Sequence, residues 1–409
     1  LGEFKFKIFL ILTIIFIINE NNVDYPTPMK GGSVKTKTDL GKKIRKHRER
    51  LKLKQADLAT KMGFNSAETI SQMERGDREI KAWELVELAR HLFVSVSDLI
   101  GDQAPEQPPI VMWRQSPDDE KELREAQFLK RYRQYALLEQ LSGSKIGRPL
   151  PQMSVDPDTL NFHTADQFAF DIRREFNLGD RPAGDIERVL QNVLGIKIWY
   201  MEMDEGSAAS TYSELGPAIL MNAREAPWRR NFNFAHELFH LITWESLPPT
   251  TISKIPGLWE RLEKAANVFA SCLLLPPEPV TVEFKRSLKN ASISYSDLIG
   301  IARDFGVSTE ALLYRLSNLK LLPPKTVEKV LKDPLFREID RSTMKECWWY
   351  PLEIPERFVR LAFMAYQKGR LSRAKFSEML DTSLLDLPEV LQEYGLTDQE
   401  GFDAEVRAA

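Results

Sequence analysis

Cysteine is nearly absent from this chain. Its two cysteines, Cys272 and Cys347, are far apart and lack metal-site spacing. That excludes a disulfide framework and suits a reducing, cytoplasmic setting. Histidine is scarce too, with five in 409 residues. Charge of one sign is lacking: 56 Lys and Arg stand against 59 Asp and Glu, a net of −3. Any surface for a polyanion must therefore be local. Membrane-length apolar runs are also missing. Residues 8–18 are apolar but fall short of the ~20 residues that span a bilayer, and no small-residue cleavage site follows them. Stable membrane association is not expected. Residues 1–28, upstream of Met29, read as an extension outside the fold.

With 43% hydrophobic and 28% charged residues, the chain has the material for two or three globular domains. The expected fold class is mainly α with a small β-sheet, α+β. The expected divisions are an atypical extension over 1–37, a helical domain over 38–101, a linker and long helix over 102–159, an α+β domain over 160–320 and a helical region over 321–409.

The densest chemistry is His236-Glu237-Leu238-Phe239-His240, inside an apolar stretch that reads as a buried helix. Residues i and i+4 share a helix face, so both imidazoles point one way. Two such histidines can ligate one Zn²⁺, with Glu237 as general base for the attacking water. A third ligand is needed, and Glu263 supplies it. Glu263, Ala266, Asn267 and Ala270 form one face of a second helix whose alanines permit close packing.

Ala-His-Glu-Leu-Phe-His-Leu over 235–241, followed by Glu-x-x-Ala-Asn-x-Phe-Ala-x-x-Leu-Leu-x-Pro over 263–276, resembles the ImmA/IrrE-type metallopeptidases. The resemblance covers about 160–320. It implies that His236, His240 and Glu263 bind zinc and that Glu237 is the catalytic base. Asn267 would hold a ligand histidine from behind. It also implies a protein substrate, a helix-turn-helix repressor. Self-cleavage in the proline-rich linker at 102–109 is a variant of this reading. Strands are expected over 194–200 and 217–222, and the edge of such a sheet can hold an extended peptide beside the metal. Tyr212 is a candidate oxyanion group.

Residues 38–101 carry a second pattern. Apolar positions recur at helical spacing, and Gly63 and Gly76 stop two short helices. Five short helices with a tight turn after the second describe a helix-turn-helix. The set Ile-Arg…Gln-x-x-Leu-Ala-x-x-x-Gly…Ile-Ser-x-x-Glu-x-Gly resembles the XRE, or lambda-repressor-like, family. The turn over 63–70 is one residue longer than the common form. Lys43, Arg45 and Arg48 on the basic first helix are expected on phosphates. Gln55, Glu68, Thr69 and Gln72 are expected toward the major groove of a double-stranded operator. Ile70 and Met73 are expected in the core, and a homodimer on a two-fold site is the usual solution.

The helix over 117–141 reads either as a dimerisation helix or as a cover for the α+β domain. Residues 298–316 look like a second helix-turn-helix that completes that domain. Two functions fit the whole: a DNA-binding regulator with an active zinc endopeptidase, or a transcription factor whose zincin-like domain is a sensor or partner platform.

Overall fold

The computed structural model describes residues 37–101, 108–118, 120–144, 148–344 and 348–397. The apolar run at 8–18, most of the proline-rich linker and Cys347 lie outside them.

The described residues open with five helices: α1 (Lys37–Arg50), α2 (Gln55–Lys61), α3 (Ala67–Arg75), α4 (Ala82–His91) and α5 (Val96–Ile100). Local chemistry sets the limits of α3. The Ser66 hydroxyl accepts from the Glu68 amide at its start, and Gly76 ends it at φ 83°, a left-handed conformation that favours glycine. Ile44, Leu58, Ile70, Met73, Leu88, Leu92 and Leu99 are buried together as the core of this unit. Gly41 lets α1 meet α3 closely. A Cβ there would come within 2.4 Å of the Glu74 carbonyl oxygen, so even alanine would push the helices apart.

A four-stranded sheet follows in the order β1-β3-β4-β2: β1 (Met112–Trp113), β2 (Lys197–Met201), β3 (Ala208–Ser213) and β4 (Gly216–Asn222). Strand β2 runs parallel to β4, and β3 runs antiparallel to both β4 and β1. Alternate side chains leave opposite faces. Ile198, Ile219 and Met221 enter a core with α7 (Phe162–Glu175), α9 (Pro227–Ile242) and α11 (Leu258–Leu274). The short α8 (Ile186–Arg188) and α10 (Pro249–Ile252) edge this layer. Trp199, Ala218 and Leu220 face the other way. Burial on both faces explains why β2 and β4 read as continuous apolar runs.

The far face is covered by α6 (Lys121–Ser142), joined by α17 (Glu356–Gln367), α18 (Arg373–Met379) and α19 (Leu387–Glu393). The long helix is therefore a cover, which its charged sequence left open against a dimerisation role. Buried Lys197 pairs with Glu139 of α6 at 3.0 Å, and Glu139 pairs with Arg357 of α17 at 2.7 Å. This chain of charges ties sheet, cover helix and C-terminal helices. The remaining helices are α12 (Pro277–Arg286), α13 (Tyr295–Asp304), α14 (Thr309–Asn318), α15 (Pro324–Lys332) and α16 (Pro334–Met344). Leu298, Ile301, Leu312 and Leu316 of α13 and α14 belong to the same core as α9 and α11, so the second helix-turn-helix-like stretch completes that layer. No helix among the described residues is long and apolar enough to cross a membrane.

Candidate metal centre and nucleic-acid interface

Helix α9 starts at Pro227, whose missing amide costs nothing at a first helical turn. It carries His236, Glu237 and His240 into the interior, all nearly inaccessible to solvent. Helix α11 packs across it through Ala265, Ala266, Phe269 and Ala270, and the small side chains bring Glu263 up to the two rings. Glu263 Oε2 lies 3.4 Å from His236 Nε2, and Oε1 lies 3.1 Å from His240 Nε2. The two Nε2 atoms are 3.1 Å apart. Ligand atoms of the three residues all lie within 4.8 Å of one another. His236 Nδ1 meets Asn267 Oδ1 at 3.2 Å, and the His240 ring stacks on Trp259.

The donor set fits a cation. Both carboxylate oxygens of Glu237, Nδ1 of His240 and Oε1 of Glu263 are buried without a well-formed hydrogen bond, an expensive arrangement for polar atoms removed from water. Two imidazoles and a carboxylate converging at this spacing are ligands typical of a catalytic zinc.

Burial pushes Glu237 up to about 7, although His240, the Ser210 hydroxyl and Arg114 pull it down. Burial likewise lowers His236 to about 4 against the pull of Glu263. Glu263 is held at about 2; burial opposes this, and the two histidines outweigh it. A carboxylate poised near neutrality beside ligand-ready imidazoles matches what a general base requires.

Four neighbours of this centre carry no signal in the sequence. Ser210 sits on β3, a strand of small residues with no apolar alternation. Asn233, one turn before Glu237, donates to Ser207 Oγ at 2.9 Å and to Glu225. Trp259 stands in the first turn of α11, ahead of the alanine face. Arg114 comes from outside the expected α+β domain, donates to Asn233 Oδ1 and stacks over Phe232 at 5.1 Å. A cleft of about 640 Å³ opens beside Asn267, lined by Arg114, Phe162, Trp228, Phe232 and Tyr314. Tyr212 packs edge-on against Trp244; no contact links it to the three ligand candidates.

In the N-terminal unit, Ile70 and Met73 are buried as expected, while Thr69 and Gln72 are half-buried and Glu68 is exposed. Glu68 pairs with Arg75 at 2.9 Å, and exposed Arg45 pairs with Glu49 at 2.7 Å. One expectation needs correction, and two more of these residues have partners within the unit. Arg48 is buried, donating from Nε and Nη2 to Glu74 at 2.6 and 3.0 Å and from Nη1 to the Leu53 carbonyl. Its guanidinium is a structural ion pair, not a phosphate contact, because the i, i+4 pattern of Ile44 and Arg48 turns it inward with the core face. Gln55 donates to the same Glu74 at 2.8 Å, so its amide is partly committed. Lys43 reaches the Asp98 and Gly101 carbonyls at the end of α5.

Comparison with known proteins finds one family match around each of these two regions. Residues 191–317 match the family described as the IrrE N-terminal-like domain, and residues 44–99 match the helix-turn-helix family. The chain therefore joins an XRE-type helix-turn-helix to an ImmA/IrrE-like domain, the architecture of a DNA-binding regulator. No curated protein matches it. Among solved structures, it is similar to a Mycobacterium tuberculosis transcriptional regulator at 18% identity and TM-score 0.30, over 45% of this chain. The chain spans about half of that structure, 51%.

Proposed function

We propose that this protein is a transcriptional regulator whose ImmA/IrrE-like domain is a zinc-dependent endopeptidase acting on a regulatory protein of the repressor type or on itself. The observation that carries this reading is the convergence of His236, His240 and Glu263 next to a buried, unpartnered Glu237. A structural zinc site has no need of that second carboxylate; peptide hydrolysis does. His236, His240 and Glu263 would hold the metal. When bound, zinc acidifies water and polarises a peptide carbonyl. Glu237 takes a proton from the attacking water and delivers it to the leaving amine. Asn267 fixes the orientation of the His236 ring, and the surrounding core excludes bulk water.

A second reading, a regulator that uses this domain as a binding platform without proteolysis, is favoured by one observation. The outer edge of β3, beside Glu237, is already paired to β1.

The test is metal content and cleavage together. Wild-type protein should carry about one zinc per chain, Glu263→Gln should lose it, and Glu237→Gln should keep it. Cleavage of a repressor-type protein should fall by roughly 10²–10⁴-fold in Glu237→Gln. Zinc without any Glu237-dependent cleavage would leave the platform reading.

A further inference from the structure

Residues 110–115 lie along β3 as a short extended peptide. Met112 is opposite Ser210 and Trp113 opposite Ala209. Three more hydrogen bonds prolong the pairing: the Thr211 hydroxyl donates to the Ile110 carbonyl at 2.8 Å, the Arg114 amide to Ala208 O at 3.0 Å, and the Ser207 amide to Gln115 O at 3.1 Å. The strand they cover packs against α9, the helix that carries Glu237. A free strand edge beside a reactive centre is where an extended peptide adds, with main-chain bonds giving affinity and alternate side chains giving selectivity. Here the chain itself fills that position.

The side chains alternate accordingly. Met112 enters the core on the α9 side and Trp113 the core on the far side. Arg114 returns to the α9 side, against Phe232 and the side-chain amide oxygen of Asn233. Its surroundings are acidic, with Glu237 and Glu225 both favouring its charge against the cost of burial. Trp113 anchors the segment from behind, its Nε1 donating to Glu125 at 2.7 Å. The pairing is short, two residues of regular ladder, as a displaceable strand requires.

We propose that residues 110–115 are an internal stand-in for the peptide ligand of this domain. They hold the β3 edge against it, and their pattern names its class: an extended segment with an apolar residue opposite Ser210 and a basic residue two positions further on. The binding edge stands apart from the chemistry; only the inhibition of cleavage rests on the peptidase reading.

The probe is a fluorescent peptide, Ile-Val-Met-Trp-Arg-Gln, titrated into the full chain carrying Glu237→Gln so that nothing is cut. Two releasing variants are added separately: Trp113→Ala, which removes the anchor, and Arg114→Glu, which reverses the charge in the acidic nest. Each should speed exchange of the Ser207 amide at least tenfold, leave exchange within α11 unchanged, and tighten peptide binding at least tenfold. A peptide with Glu in place of Arg should bind at least tenfold more weakly to the Trp113→Ala protein. Unchanged α11 exchange certifies the fold, and either variant alone is sufficient. Faster Ser207 exchange without tighter binding would make β1 an ordinary sheet edge and overturn the proposal, as would unchanged Ser207 exchange in both variants. With Glu237 restored, tight binding but no cleavage of any reporter would uphold the edge site and overturn the peptidase reading.

Discussion

Asn267 Oδ1 lies 3.2 Å from His236 Nδ1, while Nε2 of the same ring faces Glu263. With the amide oxygen as acceptor, Nδ1 carries the proton and Nε2 keeps a lone pair for a metal. Loss of such a supporting partner typically costs about 10–100-fold in metal affinity. Asn267→Ala should therefore weaken zinc binding by that amount in a competition titration with a chelator, whereas Asn267→Asp should retain most of it. Equal affinity in Asn267→Ala would remove Asn267 from the metal centre.

Arg48 and Glu74 form a buried pair within the N-terminal unit, each nearly inaccessible. Removing one partner strands the other charge. Arg48→Met should cost about 3–5 kcal/mol of that unit's stability, read as accelerated amide exchange across α1–α5. The double substitution Arg48→Met with Glu74→Leu should recover much of the loss. If single and double variants exchange alike, the pair contributes nothing.

For DNA, we propose that Glu68, Thr69 and Gln72 face the bases and that exposed Arg45 meets phosphate. Gln72→Ala should lower affinity for the operator by about 1–3 kcal/mol and relax preference at one position. Arg45→Ala should weaken binding evenly across sequences and reduce the salt slope by about one. Lys43→Ala should change the salt slope little, because its ammonium is held at the end of α5. A salt slope that falls with Lys43→Ala and not with Arg45→Ala would reverse this assignment.

His47 supplies a pH dependence away from the metal centre. It is buried, and burial, assisted by Arg50, lowers it to about 4 from an ordinary 6.5. The folded chain therefore holds this ring neutral where the unfolded chain would protonate it. Its contribution is complete above pH 6.5 and is lost as pH falls from 6.5 toward 4. Exchange protection in α1–α5 should drop between pH 7 and pH 4.5 in wild type and drop less in His47→Gln, after correction for the intrinsic rate. Equal drops would assign the acid lability to other groups.

Much of this molecule was legible because its determinants are local. The i, i+4 spacing of His236 and His240 depends only on helix geometry, and the alanine face carrying Glu263 and Asn267 announces a close helix crossing. Gly63 and Gly76 mark helix ends by their own conformational freedom, and the buried runs of β2 and β4 mark strands covered on both faces. Ile70 and Met73 were assigned to the core by periodicity alone.

Other features only the tertiary structure decided, because they depend on which surfaces meet. Arg48 looked like a phosphate contact until α3 brought Glu74 against it. Helix α6 became a cover when Lys197, a charge that no local pattern explains inside a strand, found Glu139 on it. Arg114 has no motif at all; pairing of a two-residue strand across about a hundred intervening residues puts it beside Asn233 and into the field of Glu237. Helical period and turn chemistry are written in neighbouring residues. Buried charge pairs, sheet order and the occupant of a sheet edge are set by long-range packing, which a single chain of letters does not display.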